Sequence, residues 1–294
     1  MLEIKNVFKS FGQKMVLDHL NLEVQEGSIF GLVGVNGAGK STLLRLIAGV
    51  YEPDAGTIVF NGEDTYNNEN IRADIAFVSD ETRFPHGATI ASMKVLYKTM
   101  YRFDENRYQK YLKLFELDPK ASIVTLSKGM KRRVSLLFAL SICPKLLLLD
   151  EAYDGLEPLA RLRFKQALVE LIEDEKNTVI ISGHNLKELE DICDSFGILE
   201  EGKIMTYGDL LTSRQLINKY QLAFSHPVKR EDFASFEVMH FESEGSVVKL
   251  VIKGEEEMVS EKLKEMHPLI MDELPVNFEE LFIYELESRG EGHE

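Results

Sequence analysis

The feature that most constrains the fold is a glycine-rich segment placed between an apolar run and a helical pattern. Residues 29–33 read Ile-Phe-Gly-Leu-Val, residues 34–41 read Gly-Val-Asn-Gly-Ala-Gly-Lys-Ser, and residues 42–49 read Thr-Leu-Leu-Arg-Leu-Ile-Ala-Gly. The middle segment fits G-x-x-x-x-G-K-[ST], whose glycines let backbone N–H groups turn toward a phosphate at a helix N-terminus. The sequence therefore predicts a buried strand, a phosphate-binding loop and a helix; a glycine loop without a ligand is the alternative.

Charged and polar side chains suited to nucleotide chemistry occur in this motif and in a second one. Lys40 is predicted to reach the β- and γ-phosphates, and Ser41 to ligate Mg²⁺. Residues 146–151 read Leu-Leu-Leu-Leu-Asp-Glu, which is typical of a strand buried on both faces of a parallel sheet, where ligands bind at the carboxyl ends. Asp150 then suits Mg²⁺ ligation beside Ser41, and Glu151 suits polarising an attacking water. A solvated acidic pair is the alternative.

Two further residues are weaker candidates. Phe11 follows the first predicted strand and could stack on an adenine ring, although a single phenylalanine is as often ordinary packing. His184 ends the strand predicted at 178–182, on the same sheet edge as Asp150, and could touch a γ-phosphate. By itself such a histidine is more often structural.

Composition excludes several classes of protein. The chain has 294 residues, 44% of them hydrophobic, and a net charge of −15, which disfavours nucleic acid as a partner because such binding needs Lys and Arg. Cys143 and Cys193 form no C-x-x-C pair, so neither a disulfide framework nor a zinc site is predicted. The N-terminus lacks a signal-peptide core, and the most apolar region, 134–149, is too short to span a bilayer. We expect no membrane span.

The pattern along the chain predicts two domains. Residues 1–33 alternate as strands do, whereas apolar residues between about 84 and 142 recur at helical spacing, which predicts a helical insert in an α/β domain. A last helix of this domain is predicted to run to about residue 220. Residues 221–294 begin a fresh pattern of strands followed by helices, including an apolar helix at 278–286, which predicts a small α+β domain. The predicted domains are therefore 1–220 and 221–294.

Four motifs in this order give the chain a family resemblance. The phosphate loop is followed by Leu-Ser-Lys-Gly-Met at 126–130, Leu-Asp-Glu at 149–151 and Ser-Gly-His at 182–184. Over residues 1 to about 210 the chain resembles the ATP-binding subunit of an ABC transporter. The resemblance implies an α/β P-loop ABC ATPase with an N-terminal antiparallel β-subdomain, a RecA-like core of mostly parallel sheet and a helical signature subdomain. The small α+β C-terminal extension predicted at 221–294 follows this ATPase domain.

The resemblance assigns roles to individual residues. It implies ATP and Mg²⁺ as cofactors, and a head-to-tail dimer in which Ser127 and Gly129 contact the γ-phosphate held by the other protomer. The implied nucleotide-binding residues are Phe11, Gly34, Asn36, Gly37, Ala38, Gly39, Lys40, Ser41, Thr42, Ser127 and Gly129. The implied catalytic residues are Glu151, His184 and Lys40, and the implied metal ligands are Ser41, Asp150 and Asp80.

Several positions depart from the family pattern. Lys128 stands where a second glycine is usual in the signature, and Met130 where glutamine is usual. Glu157 occupies the position of the D-loop aspartate, and Asp80 that of the Q-loop glutamine. Because backbone amides and Ser127 make the phosphate contacts, we expect Lys128 to be tolerated. The shorter, charged Asp80 makes coupling to a membrane partner less certain than hydrolysis.

The resemblance implies an ATP-hydrolysing subunit that powers export of a drug-, peptide- or lipid-like cargo through a separate transmembrane permease subunit. The protein would be peripheral on the cytoplasmic face of the membrane and would form a homodimer or a heterodimer with another ATP-binding subunit. The expected docking groove for the permease maps to 80–100, and its candidate contact residues are Phe84, Pro85, Ile90, Met93 and Tyr97. The alternative function is a soluble regulatory ABC ATPase that acts on a non-membrane partner.

Overall fold

The computed structural model describes residues 1–153, 156–175, 177–184, 189–209 and 216–276, together with residues 280 and 284. The chain divides into two compact units, Met1–Tyr207 and Gly208–Glu294. This division precedes the boundary at 220 expected from the sequence. Within the described ranges, no helix is both long enough and apolar enough to cross a bilayer.

The first unit is built on two sheets. Its strands are β1 (Leu2–Phe11), β2 (Lys14–Val24), β3 (Ile29–Val33), β4 (Ala55–Phe60), β5 (Glu63–Asp64), β6 (Ile75–Val78), β7 (Leu146–Leu149), β8 (Thr178–Gly183), β9 (Ser195–Glu200) and β10 (Lys203–Asp209). The N-terminal sheet has the order β2-β1-β4-β5 and is antiparallel. The larger sheet has the order β10-β9-β3-β8-β7-β6, in which β3 pairs parallel with β8 and β9, and β7 with β6 and β8.

The parallel sheet brings the predicted motifs to one edge. All four leucines of β7 are fully buried, as expected for a central strand covered on both faces. Because β3, β6, β7 and β8 run in the same direction, the segments that follow them emerge together. The phosphate loop, residues 79–80, the acidic pair and His184 are therefore neighbours in space, although they are far apart in sequence.

Helices flank the larger sheet and form the insert. They are α1 (Lys40–Ile47), α2 (Glu69–Ala73), α3 (Ile90–Met100), α4 (Glu105–Leu114), α5 (Lys128–Ser141) and α6 (Pro158–Glu175). Side-chain oxygens of Thr89, Asp104 and Ser127 accept hydrogen bonds from the first turns of α3, α4 and α5, which fixes where these helices begin. The predicted helical insert at 84–142 corresponds to α3, α4 and α5.

The second unit is a separate antiparallel sheet with its own core. Its elements are β11 (Ile217–Ala223), β12 (Glu237–Glu244), β13 (Val247–Lys253), α7 (Glu256–Glu265) and β14 (Ile270–Leu274). The strand order β12-β13-β11-β14 is that of a split βαβ arrangement, with a short 3₁₀ helix at Arg230–Phe233 in place of the first helix. The predicted architecture is confirmed: an antiparallel N-terminal sheet, a mostly parallel core sheet, a helical insert and a small α+β C-terminal unit.

One predicted element is wrong, and another lies mostly outside the described residues. Residues 217–220, which were expected to end a helix, belong to β11 and pair with β13. The alternation of buried Tyr220 and Leu222 with half-buried Lys219 and Gln221 has the two-residue period of a strand, which dominates over helical spacing in so short a window. Of the predicted apolar helix at 278–286, the structure describes only residues 280 and 284.

Candidate active site

A cleft of about 530 Å³ opens where the parallel strands end. It is lined by Lys14, Val16, Asn36, Gly37, Gly39, Lys40, Ser41, Thr42, Asp80, Glu151 and His184. The cleft therefore brings together residues of the phosphate loop, the acidic pair and the segments that follow β6 and β8. This volume is in the range of pockets that hold small ligands and cofactors.

At two positions of the phosphate loop only glycine fits, because of the backbone conformation at Gly39 and the close approach of a neighbouring carbonyl oxygen at Gly34. Gly39, which precedes α1, has φ +111°, and a Cβ there would lie 3.1 Å from the Val16 carbonyl oxygen. A Cβ on Gly34 would lie 2.4 Å from the Leu199 carbonyl oxygen, which is closer than atoms can approach. The glycines thus let the loop close against its neighbours at the N-terminus of α1, where unpaired N–H groups favour an anion.

The Lys40 side chain is held inside the phosphate loop by a hydrogen bond. It is only 5% exposed, and Nζ donates a hydrogen bond to the Gly34 carbonyl oxygen at 2.6 Å. Nζ also lies 3.3 Å from Glu151 Oε1. The ammonium group is therefore fixed at the floor of the cleft, where it can meet the phosphates of a nucleotide.

Asp150 is buried, and of its two carboxylate oxygens only Oδ1 accepts hydrogen bonds from described residues. Ser41 Oγ donates to Asp150 Oδ1 at 3.0 Å, and Ser182 Oγ donates to the same oxygen at 2.8 Å. The other oxygen, Oδ2, is buried without a hydrogen-bond partner among the described residues. Buried polar atoms are normally satisfied, so an orphaned carboxylate oxygen beside a hydroxyl is the donor set that suits a hard cation such as Mg²⁺.

Glu151 lies between two cationic or potentially cationic groups. One carboxylate oxygen faces Lys40, and the other, Oε2, lies 2.9 Å from His184 Nδ1. The backbone of Glu151 has φ +48°, and its N–H donates to Ser182 Oγ at 3.0 Å. The carboxylate is thereby directed into the cleft, where it can accept a proton from a bound water.

Asp80 lines the same cleft but is already paired. Its Oδ1 lies 3.0 Å from Arg132 Nη2 and 3.4 Å from Lys128 Nζ. Arg132 also donates to the backbone carbonyl oxygens of Ser79, Asp150 and Glu151. The segment after β6 is thus tied to α5 and to the acidic pair.

Comparison with known proteins places this site in a family. A model of the family described as ABC transporter matches residues 17–154. The chain is 31% identical over 207 residues to the lantibiotic transport ATP-binding protein SrtF of Streptococcus pyogenes, a match that covers 70% of this chain and 89% of that protein. The chain belongs to the ABC transporter ATP-binding proteins. As an ABC transporter ATPase, it hydrolyses ATP.

Two other relatives of this ABC transporter ATPase show how varied the family is. The ABC transporter ATP-binding protein YtrB of Bacillus subtilis is 29% identical over 96% of this chain and 97% of its own length. The probable sulfate/thiosulfate import ATP-binding protein CysA of Chlorella vulgaris is 35% identical over 70% of this chain and 89% of its own. The relatives thus include a protein named for import.

A solved structure matches the ATPase unit. The cassette MJ0796, in a dimeric post-hydrolysis state bound to ADP and Pi, has a TM-score of 0.65 and 25% identity, and the match covers 71% of this chain and 99% of that one. ABC cassettes dimerise, and this chain has the same fold as that cassette.

Five nucleotide-binding candidates of the ABC transporter ATPase are not among the residues that line the cleft, and three of these five lie outside the phosphate loop. Phe11 is 46% exposed and packs edge-on against Tyr51, with ring centroids 5.5 Å apart. Ser127 caps α5 by accepting a hydrogen bond from the Met130 N–H at 3.2 Å, and Gly129 lies in the first turn of that helix. The remaining candidates, Gly34 and Ala38, belong to the loop that forms the cleft.

Sequence reasoning missed two residues of the site. Ser182, which holds Asp150 and Glu151, directly precedes the Gly-His pair at 183–184, so its position at a strand end was the available signal. Arg132 is 1% exposed and lies four residues before the buried Leu136, on the same face of α5. A charged residue on the buried face of a helix was the signal there, because such a charge requires partners.

Proposed function

We propose that this chain is the ATP-binding subunit of a transporter that exports a drug-, peptide- or lipid-like cargo through a separate membrane-spanning subunit. The observation that carries the ATP-driven part is that Lys40 and Glu151 line one cleft, while the buried Asp150 is hydrogen-bonded to Ser41 of the same cleft. The proposed cargo class draws on a relative, and the proposed direction on the family resemblance of the sequence. YtrB matches over almost the whole chain, and SrtF is named for lantibiotic transport.

Within the cleft, each residue has a proposed role. Lys40 binds the β- and γ-phosphates, and Glu151 accepts a proton from the attacking water. His184 orients that carboxylate through its contact with Oε2 and reaches the γ-phosphate. Phe11 supplies an aromatic surface beside the adenine, because its ring remains half exposed.

Mg²⁺ is the proposed cofactor, and the oxygen donors present fit it. Ser41 Oγ and the unpartnered Oδ2 of Asp150 would hold the ion together with phosphate oxygens. The ion would neutralise the charge that develops on the phosphates. Asp80 is the remaining candidate ligand; its pairing with Arg132 and Lys128 supports a role beside the metal site rather than in it.

The proposed assembly is a head-to-tail dimer on the cytoplasmic face of the membrane. Ser127 and Gly129 lie at the N-terminus of α5 and are not among the residues that line the cleft of their own protomer, which suits contact with a nucleotide held by another copy or by a related subunit. A net charge of −15 argues against nucleic acid as a partner.

A groove beside α3 supports the proposed membrane partner. A cleft of about 190 Å³ lies between the end of β6 and helices α3 and α5, and its lining includes Phe84, Tyr97 and Tyr101. Close by in sequence, α3 exposes Leu96 (42%) and Met100 (62%). Ile90 and Met93, which the sequence predicted to lie in this groove, are buried instead, because the start of α3 is held against Pro119 and Ala121 by backbone hydrogen bonds. An exposed apolar surface beside a groove suits docking of a helix.

Purification from membranes tests the proposal. The tagged chain, solubilised with detergent, should retain a protein with several membrane-spanning segments, and the pair in liposomes should hydrolyse ATP only with Mg²⁺. Export predicts that cargo accumulates in the lumen when the ATP-binding subunit faces outward. Movement out of the lumen would indicate an importer, and recovery with a non-membrane protein alone would favour the regulatory alternative.

We also propose that the second unit is an accessory domain, which predicts that a chain ending at Asp209 folds and binds ATP with unchanged affinity. That chain retains every strand of the parallel sheet and the whole phosphate loop. Circular dichroism melting and binding of a fluorescent ATP analogue provide the measurements. A matched chain ending at Asp194 lacks β9, the neighbour of β3, and should fail in both assays. Failure of the longer chain would show that the second unit is part of the ATPase fold.

A further inference from the structure

Arg132 is a buried cation whose guanidinium reaches four oxygen atoms at the edge of the cleft. It donates to the Ser79 carbonyl oxygen at 2.7 Å, to the Asp150 carbonyl oxygen at 3.1 Å, to Asp80 Oδ1 at 3.0 Å and to the Glu151 carbonyl oxygen at 3.2 Å. The side chain is only 1% exposed. Burying a charge is costly unless it is paired and hydrogen-bonded, and here these acceptors provide both.

These acceptors belong to two different strand ends. Ser79 and Asp80 follow β6, and Asp150 and Glu151 follow β7. One side chain of α5 therefore connects both segments. The planar guanidinium presents donors in a fixed fork, whereas a lysine ammonium would present a single nitrogen and could not reach all four acceptors with the same geometry.

The contact with Glu151 fixes the backbone that carries the proposed base. Ser182 Oγ accepts the Glu151 N–H, and Arg132 donates to the Glu151 carbonyl oxygen. Both polar groups of this residue's backbone are therefore anchored while its side chain points toward Lys40 and His184. Loss of either anchor would allow the carboxylate to move relative to the phosphate loop.

Asp80 extends this connection to the start of α5. Its carboxylate contacts Arg132 and also lies 3.4 Å from Lys128 Nζ, in the first turn of the helix. Ser127 and Gly129 flank Lys128. A shift of Asp80 in the cleft would therefore be transmitted to the N-terminus of α5, which is proposed to contact the second nucleotide.

We propose that Arg132 is a positioning residue for ATP hydrolysis, because it holds Glu151 in the position required for catalysis. Through its contact with Asp80, it also connects the cleft to the N-terminus of α5. The inference rests on the proposed role of Glu151 as the base. Arg132 itself contacts carbonyl and carboxylate oxygens of this chain rather than a reacting atom.

The test is Arg132→Lys, which keeps the charge and removes the fork. We expect kcat for ATP to fall by roughly 10–10²-fold, as for a small misplacement of a catalytic group, with the affinity for ATP unchanged. The matched control is Lys131→Gln on the neighbouring position of α5, for which we expect parental kcat. A kcat within twofold of the parent for folded Arg132→Lys, or loss of ATP affinity together with kcat, would overturn the inference.

Combining Arg132→Lys with Glu151→Gln distinguishes a positioning role of Arg132 from a general effect on protein stability. If Arg132 acts through Glu151, Arg132→Lys should cause no further loss of turnover in a chain that already carries Glu151→Gln, whereas a full additional loss would contradict the proposal. Glu151→Gln with normal turnover would instead refute the proposed base. Should Arg132→Lys not fold, Asp80→Asn serves as the variant, with a smaller fall in kcat at unchanged ATP affinity expected; unchanged kcat would overturn the link through Asp80.

Discussion

Glutamine in place of Glu151 is expected to abolish nearly all ATP turnover while ATP still binds. The amide keeps the shape of the side chain but cannot accept the proton of the attacking water, and loss of a general base costs roughly 10²–10⁴-fold in rate. Lys40 and the phosphate loop remain in place, so ATP should accumulate on the protein and hold two copies together. Phosphate release, nucleotide binding and size-exclusion chromatography with ATP measure these effects.

The chain offers a closely matched control for this substitution. Glu116 also has a positive φ, +53°, and its carboxylate pairs with Arg163 rather than with any residue that lines the cleft. Glu116→Gln should therefore hydrolyse ATP at the parental rate and remain in its parental oligomeric state. Phosphate release at the parental rate by purified Glu151→Gln would exclude Glu151 as the base.

The second large effect is expected at the membrane. Replacing both Leu96 and Met100 with glutamate should release the protein from membranes that contain its partner, because two charges would have to be buried in an apolar interface. The two residues are four apart on α3 and so share a face. Fractionation of cells that express both subunits measures membrane association, and ATP binding by the isolated subunit should be unchanged.

Tyr97, which the sequence predicted to contact the membrane partner, is unsuitable for this substitution. The Tyr97 ring stacks on the buried Phe138 ring with centroids 4.5 Å apart, so a charge there would disturb the helical region itself. The control variant places two glutamates at exposed positions of α3 without large apolar side chains, Ala91 and Thr99, and should sediment with membranes as the parent does. Equal sedimentation of both double variants would place docking elsewhere.

The parts of the molecule that the sequence predicted well are those with a local signal. The phosphate loop has a motif of fixed spacing, and β7 is apolar at every position, so both the strand and the acidic residues at its end could be predicted. The direction of parallel strands also predicted His184 on the same sheet edge as Asp150, and in the structure its Nδ1 lies 2.9 Å from Glu151 Oε2.

What the sequence could not predict depends on contacts between distant residues. The bonds from Arg132 to Ser79 and Asp150 span tens of residues, and nothing in the local pattern of α5 shows which oxygens its guanidinium meets. The same holds for α3, where helical spacing predicted the helix but not that Ile90 and Met93 are buried while Leu96 and Met100, further along the helix, are exposed. For β11, pairing with β13 decided the structure of residues for which helix was expected.

The backbone of Glu151 has a consequence for the stability of the whole protein. A residue other than glycine that is held with φ near +48° is strained by roughly 1–3 kcal/mol, set against a typical folding free energy of about 5–15 kcal/mol. Glycine would accept that conformation without strain but would carry no carboxylate. The fold therefore tolerates a lasting loss of stability at one residue. The hydrogen bonds that the Glu151 N–H donates to Ser182 and that Arg132 donates to the Glu151 carbonyl oxygen help to keep that residue from relaxing.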